Sequence, residues 1–230
     1  MLILLPPSEK KKAATSPEKF DLSSLTFAAE LSALRSQTTA GSDSSKTSPA
    51  IEIYVGVLYQ GLGWNSLSAI QKKRANSRVL IVSALFGLIK PLDQIFQYKI
   101  KIDSKLWRDA IASISEKYVN ELVIDCRSST YKNVWTINPE NTVEVRVFKV
   151  TETKRSVITH MSKKYRGELT RHLLMQPSDP GTPADVQRMA AQLFECELHP
   201  PTDGQPWTLD LLISEWQSRR DTIKAWWCTR

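Results

Sequence analysis

The sequence contains no apolar run approaching the roughly 20 residues that a membrane-spanning helix requires. The first five residues, MLILL, are apolar and are followed by prolines and lysines. A secretory signal has the opposite order, with positive charge before a longer apolar stretch. We therefore expect neither a membrane protein nor a secreted one, but a protein of the cytoplasm.

Cysteine and histidine are scarce, and neither occurs in a spacing typical of a metal or redox site. The cysteines and histidines are Cys126, Cys196, Cys228, His160, His172 and His199. An odd number of separated cysteines without a C-x-x-C motif argues against a disulfide framework and against a zinc site. We expect free buried thiols in a reducing compartment, with no metal and no cofactor.

Two motifs of common catalytic sites are also missing. The sequence has no G-x-x-x-x-G-K-[ST] loop for nucleotide phosphates and no G-x-S-x-G turn for a hydrolase serine. No pair of side chains is recognisable as an acid and a base. The sequence therefore assigns no catalytic residue and favours a protein that is not an enzyme.

Positive charge is abundant and unevenly distributed. The 230 residues are 41% hydrophobic and 24% charged, which is ordinary for a globular protein, but the net charge is +7. Residues 69–108 hold nine Lys and Arg against two Asp, and residues 149–172 hold seven against two Glu. Residues 177–217 hold one Arg against seven acidic residues. This asymmetry predicts an anion-binding face rather than an evenly charged surface.

Hydrophobic periodicity predicts an α/β (α+β) fold, a single domain over residues 1–230 with a mixed, partly antiparallel sheet flanked by helices. The predicted strands cover residues 2–5, 79–83, 95–102, 122–125, 143–147, 156–159 and 209–213. The predicted helices cover residues 25–35, 49–59, 66–75, 104–118, 162–175 and 182–194. Asn65 is the expected N-cap of the third helix. The polar stretch 36–48 predicts a mobile loop, because it has too few apolar residues to order itself.

Five blocks of sequence carry a resemblance to a known family. They are MLILLPPSEKK at the start, YVGVLY around Gly56, SALFGLIKPLDQIFQYKI at 83–100, CRSSTY at 126–131 and HMSKKYRGELTR at 160–171. In this order and spacing they resemble the YaaA family of peroxide-stress proteins, and the chain is identified as a divergent member of actinobacterial type. The resemblance runs from residue 1 to about residue 175 and weakens over 176–230.

The resemblance implies a cytoplasmic protein that helps cells survive peroxide by limiting free iron and its damage to DNA. It also implies an α/β fold with a positively charged cleft and DNA binding, without an established enzymatic activity. We therefore expect a protein that binds duplex or structured DNA, largely without sequence specificity. Neither a membrane nor an obligate protein partner is expected.

Basic, hydroxyl and glycine residues within these blocks form the predicted DNA-binding set. They are Lys11, Lys90, Lys99, Arg127, Ser128, Tyr131, Lys163, Lys164, Arg166, Gly167 and Arg171. Lys11, rather than Lys10, is taken to match the family's N-terminal lysine. The chain departs from the family pattern at Lys90, where relatives often have arginine, and at Gln97, where many have proline. Lys132 is not equated with the family's later lysine.

Lys163, Lys164 and Arg166 open the predicted helix 162–175. A helix dipole disfavours cations at its N-terminus. A bound phosphate would relieve this conflict by contacting backbone N–H groups and the three side chains. A solvated basic face is the alternative explanation. We favour phosphate binding, because three cations stand where local electrostatics discourages them.

A G-x-G sequence at Gly61 and Gly63, followed by Lys72 and Lys73, is similar to the hairpin of helix–hairpin–helix DNA binders. Glycines in such a hairpin let backbone N–H groups approach a phosphate. A helix-ending glycine followed by a turn explains the same pattern. The helix-ending turn is the favoured interpretation, and the phosphate contact is the alternative.

The alternative function is an enzyme acting on a nucleotide or small phosphorylated ligand in the same cationic pocket. The loops at 10–12 and 127–131 would then line one site. A deep, closed cleft would favour this alternative, whereas a broad, open basic groove would favour DNA. Direct iron binding is least favoured, because the sequence lacks a cluster of metal-ligating residues.

Overall fold

The computed structural model describes residues 1–42, 45–151, 154–158 and 161–214. The strands are β1 (Leu2–Leu5), β2 (Ser48–Pro49), β3 (Val79–Ser83), β4 (Gly87–Ile89), β5 (Gln94–Ile95), β6 (Val123–Asp125), β7 (Thr142–Val150), β8 (Arg155–Val157), β9 (Glu195–His199) and β10 (Trp207–Ser214). The helices are α1 (Ala28–Thr38), α2 (Ala50–Ile53), α3 (Val57–Leu62), α4 (Ala69–Arg78), α5 (Ser104–Ser115), α6 (Ser129–Lys132), α7 (Ser162–Met175) and α8 (Pro183–Ala190). Within this described part, no helix has the length and apolar character needed to cross a membrane. His160 and Cys228 lie outside the described residues.

An eight-stranded mixed sheet forms the centre of the fold, which confirms the expected α/β class. Its order is β4–β3–β1–β6–β7–β10–β9, and β8 pairs with β7 outside this path. The neighbours from β3 to β10 pair in parallel, whereas β4, β8 and β9 join antiparallel. β1 and β3 are almost entirely apolar and fully buried, as expected of central parallel strands covered on both faces.

The side chains of β1 alternate between two helical layers. Leu2 and Leu4 pack into a core that includes Trp107 and other side chains of α1 and α5. Ile3 and Leu5 belong to the larger core on the opposite face, which includes side chains of α3, α7 and α8. The two-residue period of a strand thus places β1 in contact with both layers.

The strand order reverses next to β1. The chain passes from β1 to β3 on one side and then returns to β6 on the other side. In a parallel α/β sheet, such a reversal leaves a crevice beyond the carboxyl ends of the strands, where ligands commonly bind. The loops that follow β1 and β6 therefore meet at this edge of the sheet.

The predicted strand 95–102 is wrong beyond its first residue. Only Gln94–Ile95 pairs, and its partner is β2. Phe96 and Tyr98 instead place their rings 5.2 and 5.4 Å from the Phe86 ring in edge-on contacts. Aromatic packing therefore replaces strand pairing in this segment, and alternation of apolar and polar residues does not distinguish the two.

Several helix boundaries differ from their predictions. The helix predicted at 49–59 is divided into α2 and α3 by a short turn. α4 begins after Ser68 rather than at Asn65, because Ser68 and Gln71 form a reciprocal capping box. α8 ends early, because the chain turns into β9, a strand that the sequence pattern does not predict. β4 is likewise not predicted, because a strand of three residues is too short to show an alternating hydrophobic pattern.

The polar loop predicted at 36–48 is structured at both ends. α1 continues to Thr38, and Ser48 pairs with Ile95. Next to this pair, the Thr47 hydroxyl donates to the Glu18 carbonyl at 3.0 Å. Hydroxyl hydrogen bonds thus order positions that have few apolar contacts. The mobility of the loop stays a prediction.

Two glycines allow α3 and α7 to approach until their backbones meet. A Cβ at Gly167 would overlap the Leu58 carbonyl oxygen and lie 2.9 Å from the Leu62 nitrogen. A Cβ at Gly61 would overlap the Lys164 carbonyl oxygen in the same way. Gly167 belongs to the predicted DNA-binding set, but in the structure it serves the packing of two helices.

Replacing Gly167 with alanine is expected to destabilise the protein. Alanine favours a helix over glycine by about 1 kcal/mol, but the new methyl group would meet backbone atoms of α3. We expect overpacking to dominate and to lower the free energy of unfolding by about 1–3 kcal/mol, as measured by urea denaturation. Gly181→Ala is the control, because its Cβ would meet only Asp185 Oδ2, at 3.7 Å. Equal stability of the two variants would contradict this role.

Candidate nucleic-acid interface

A groove lies at the carboxyl edge of the sheet, beside the reversal next to β1. It consists of two adjoining pockets of about 700 and 310 Å³, which open to solvent and which we call together the carboxyl-edge groove. The residues shared by both pockets are Lys10, Val55, Tyr59 and Gln60. Lys11 and Lys12 line the larger pocket. Ser128, Tyr131 and Lys163 line the smaller one.

Hydrogen bonds hold the lysine-rich loop after β1 in place. A proline pair stops the strand, and the Tyr59 hydroxyl donates to the Pro6 carbonyl at 2.8 Å. The Val55 amide and the Ser8 hydroxyl both donate to the Lys10 carbonyl, at 3.1 and 2.7 Å. The lysine side chains therefore extend into the groove from a fixed backbone.

Lys11 has a different environment from the exposed lysines on either side of it. Its Nζ lies 4.2 Å from the centre of the Tyr98 ring and 5.8 Å from the centre of the Tyr54 ring. With the residues that the structure describes, this Nζ forms no hydrogen bond or ion pair. Burial lowers the pKa of Lys11, and the charge of Glu9 opposes this effect in part. An aromatic contact thus takes the place of a carboxylate partner.

Two neutral phenols, Tyr54 and Tyr98, lie close to this amine, and a third, Tyr131, lines the adjoining pocket. Tyr98 Oη is 2.8 Å from both Tyr54 Oη and Ser83 Oγ, which makes a chain of three hydroxyl groups. Burial raises the pKa of Tyr98 and of Tyr54. Burial, together with the nearby Tyr98 and Glu9, raises the pKa of Tyr131 to about 12. The phenols are therefore uncharged near pH 7 and can both donate and accept hydrogen bonds.

Four residues near the amine are missing from the predicted DNA-binding set, although the alternative function places the loop 10–12 in the same pocket. They are Lys10, Lys12, Tyr54 and Tyr98. Each lies in or directly beside a block that carries the family resemblance, so membership of a block is the signal that could have found them. A tyrosine within an apolar segment is usually predicted to be a core residue. The sequence also does not show in which direction each of several adjacent lysine side chains points.

Arg127 forms a buried ion pair and does not line the groove. It is 2% exposed, and its Nε and Nη2 donate to the two carboxylate oxygens of Asp125 at 2.9 Å each. Its Nη1 and Nη2 also donate to the carbonyls of Tyr131 and Trp135 at 3.2 and 3.1 Å. Arg127 thus fixes the loop that carries Ser128 and Tyr131. Its donors are therefore used within the fold, and contact between Arg127 and phosphate stays a prediction.

Asp125 depends on this guanidinium for its charge. Burial alone would raise the pKa of the Asp125 carboxyl. The charge and hydrogen bonds of Arg127 outweigh burial and hold that pKa below its usual value. The pair is therefore ionised at neutral pH, and removing either partner would leave an unpaired charge inside the protein.

The three cations at the start of α7 make different contacts. Lys163 lines the smaller pocket of the groove. Arg166 donates to the carbonyls of Val145 and Arg127 at 3.2 and 3.4 Å, which ties α7 to the edge of the sheet. Lys164 lies 3.5 Å from a glutamate carboxylate one turn along the helix. Of the phosphate site predicted for these three residues, only Lys163 lies at the groove.

Gly63 and Arg171 join the end of α3 to α7. Gly63 ends α3 with a φ of 59°, in the left-handed region that favours glycine. Arg171 Nη1 donates to the Gly63 carbonyl at 3.0 Å and to Ser66 Oγ at 2.7 Å. This is the helix-ending turn of the favoured interpretation. Lys72 contacts a tryptophan ring and Lys73 is exposed, and neither lines the groove.

Two further members of the predicted set lie outside the groove lining. Lys90 is half-buried, and its amide donates to Asp93 Oδ2 at 3.0 Å. Lys99 is exposed. DNA contact by these two side chains stays a prediction.

A cluster of metal-ligating side chains lies at the other end of the sheet, on β9 and β10. The ligand atoms of Glu197, His199 and Asp210 are all within 4.8 Å of one another. The Asp210 side chain is 1% exposed, accepts from Arg146 Nε at 2.6 Å and also pairs with Arg155. Because two guanidinium groups already neutralise these carboxylates, the cluster is a salt-bridge network in this structure.

Comparison with known proteins identifies the family. A model of the family described as peroxide stress protein YaaA matches residues 21–198. The chain belongs to this family. A UPF0246 protein of Streptomyces coelicolor is 31% identical over 260 residues, which cover 94% of this chain and 99% of that protein. A UPF0246 protein of Corynebacterium glutamicum is 33% identical, over 83% of this chain and 91% of that protein. A UPF0246 protein of Corynebacterium efficiens is 32% identical, over 93% of this chain and 100% of that protein.

The YaaA family match confirms the resemblance that the five sequence blocks indicate. The matched region includes Tyr54, Tyr98, Tyr131 and Lys163 of the site, whereas the lysine loop after β1 precedes it. The names of the relatives state no ligand, substrate or partner. The ligand of the groove must therefore be argued from its own chemistry.

Replacing Arg127 with methionine is expected to destabilise this YaaA-family protein by about 3–5 kcal/mol at pH 7, because Asp125 would stay buried without a counter-charge. In the wild type, folding lowers the pKa of Asp125. The contribution of the pair is therefore present above the unfolded pKa of about 3.9 and is lost as pH falls through the folded pKa.

In the variant, burial instead favours the protonated Asp125 carboxyl. The difference in the free energy of unfolding between wild type and variant should therefore become smaller as the pH falls from 7 to 5. Urea denaturation of both proteins at these two pH values measures the difference. The double variant Asp125→Asn, Arg127→Met removes both charges and should recover part of the loss. A single variant as stable as the wild type at pH 7 would show that the ion pair is dispensable.

Proposed function

We propose that this YaaA-family protein binds DNA through the carboxyl-edge groove as part of the response to peroxide stress. The observation that supports this most directly is the set of four lysines around the groove, Lys10, Lys11, Lys12 and Lys163. Among the residues that the structure describes, none of the four has an ion-pair partner. Their charges are therefore available to a polyanion.

Lysine-based contacts favour binding to the phosphate backbone rather than to base edges. An ammonium group acts as a point charge, whereas bidentate recognition of a base or phosphate needs the planar donors of arginine. The arginines nearest the groove, Arg127, Arg166 and Arg171, use their donors within the fold. Binding should therefore depend steeply on salt and weakly on DNA sequence.

Less iron-dependent damage to DNA belongs to the same proposal as an indirect effect. A protein on the DNA backbone displaces cations from the phosphates, and iron that is displaced no longer reacts with peroxide at the DNA. This effect lowers the iron held at the DNA and leaves the route by which free iron is limited outside the proposal. Direct capture of iron is less favoured, because the cluster of Glu197, His199 and Asp210 is already paired with two arginines.

A small phosphorylated ligand is the second candidate. The pocket of about 310 Å³ is within the size range of small-molecule sites, and it places two hydroxyl residues, Ser128 and Tyr131, in the same lining as Lys163. DNA is favoured because the groove continues into the larger pocket, which opens to solvent and carries the lysines of the loop after β1.

Fluorescence anisotropy with labelled duplex DNA across a salt series tests this proposal. The variant replaces Lys10, Lys12 and Lys163 with alanine and leaves Lys11 in place. We expect at least a tenfold loss of affinity at low salt, because three phosphate contacts are removed. The slope of log affinity against log salt should become shallower by about 0.9 for each lost contact.

The control variant replaces Lys101, Lys105 and Arg188 with alanine, which removes the same charge at exposed positions outside the groove. It should stay within about twofold of the wild type, as expected for cations that contact no phosphate. Equal losses of affinity in both variants would show that binding depends on net charge and not on the groove. Absence of binding at low salt would overturn the proposal and favour nucleotides as ligands.

A further inference from the structure

Lys11 differs from its neighbouring lysines in its burial and in its aromatic contact, and it lines the groove as they do. Its side chain is half-buried, whereas Lys10 and Lys12 are exposed. The Tyr98 ring, 4.2 Å away, holds its Nζ in position without neutralising it as a carboxylate would. The amine nevertheless lines a pocket of about 700 Å³ that opens to solvent. A ligand can therefore reach a primary amine that is partly shielded from water.

We propose that Lys11 Nζ is a nucleophile that forms an imine with an aldehyde bound in the carboxyl-edge groove. A lysine becomes nucleophilic when it is desolvated or lies beside other cations, because both conditions favour the neutral amine. Burial lowers the pKa of Lys11 in this structure, and the charge of Glu9 opposes this effect only in part. The identity of the natural aldehyde rests on the proposed function, whereas the reactivity of Lys11 does not.

The reaction balances without an oxidant or a reductant. The Nζ lone pair attacks the carbonyl carbon and forms a carbinolamine. The carbinolamine hydroxyl then takes a proton and leaves as water while the C=N bond forms. The hydroxyl of Tyr54 or Tyr98, whose rings lie beside the amine, is neutral at pH 7 and can donate this proton. The iminium nitrogen then returns its proton to the phenolate, which leaves the neutral imine and the neutral phenol.

The surrounding charge selects an aldehyde that carries phosphate. Lys10, Lys12 and Lys163 line the same groove and would bind phosphate groups beside the reacting carbonyl. Two sources share this chemistry, namely the ring-opened deoxyribose at an abasic position in DNA and a free phosphorylated sugar aldehyde. Abasic positions are a product of oxidative DNA damage, so the first source follows from the proposed function.

Reductive trapping with sodium cyanoborohydride tests the inference, because it converts an imine into a stable secondary amine. The probes are a duplex with one abasic position, the same duplex undamaged, and glyceraldehyde 3-phosphate. Each protein is used at a concentration that saturates the duplex by anisotropy, so that differences in DNA affinity do not affect the yield. Peptide mapping by mass spectrometry locates the modified lysine.

Lys11→Arg keeps the positive charge but removes the nucleophilic amine, and Lys105→Arg is the matched control outside the groove. We expect an adduct on the abasic duplex that maps to Lys11, falls at least tenfold in Lys11→Arg and is unchanged in Lys105→Arg. The trapped yield should also rise with pH at lower values than for an ordinary lysine, because the neutral amine is the reacting form.

The other outcomes separate this inference from the proposed function. An adduct at Lys11 with glyceraldehyde 3-phosphate, in a protein that does not bind DNA, would support the imine and overturn the DNA proposal. DNA binding without any adduct would overturn the imine and leave the DNA proposal intact. Modification spread over Lys10, Lys12 and other exposed lysines would overturn the assignment to Lys11.

Discussion

The groove depends on the backbone contact between α3 and α7. Gly61 and Gly167 leave no side chain between the two helices at this point. The residues just before α3 hold the lysine loop after β1, and Lys163 lies one helical turn before Gly167 on α7. The contact therefore sets the separation between the loop lysines and Lys163. A side chain at either glycine would push the two walls of the groove apart. The distance between the positive charges of the two walls therefore depends on this helix contact.

Arginine and lysine have separate tasks in this protein. Arg127 and Arg166 donate to several carbonyl or carboxylate oxygens at the edge of the sheet, and Arg171 does so at the end of α3. A guanidinium group suits this task, because its planar donors can satisfy more than one fixed acceptor. Within the part of the chain that the structure describes, the amines of Lys10, Lys11, Lys12 and Lys163 have no such acceptors. The net charge of +7 is therefore a poor measure of the positive charge at the groove. The charge at the groove depends on which Lys and Arg side chains are not already paired within the fold.

The buried strands and the basic helix α7 could be predicted because their signals are local. β1, β3 and β6 are short apolar runs, β7 alternates, and α7 has the predicted limits 162–175. The segment after β5 shows the same alternation, but its aromatic residues pack against Phe86 instead of pairing as a strand. Local pattern cannot separate these cases, because the competing partner lies elsewhere in the fold.

The amino-acid sequence by itself determined the α/β class, membership of the YaaA family and the excess of positive charge, because composition, periodicity and motif order are properties of the chain alone. Only the tertiary structure decided which predicted residues reach the groove. Lys11, Ser128, Tyr131 and Lys163 line it, whereas Arg171 is bound to Gly63, 108 positions away. The partner of a basic side chain is selected by packing between elements that are distant in the chain, and local electrostatics carries no information about that choice.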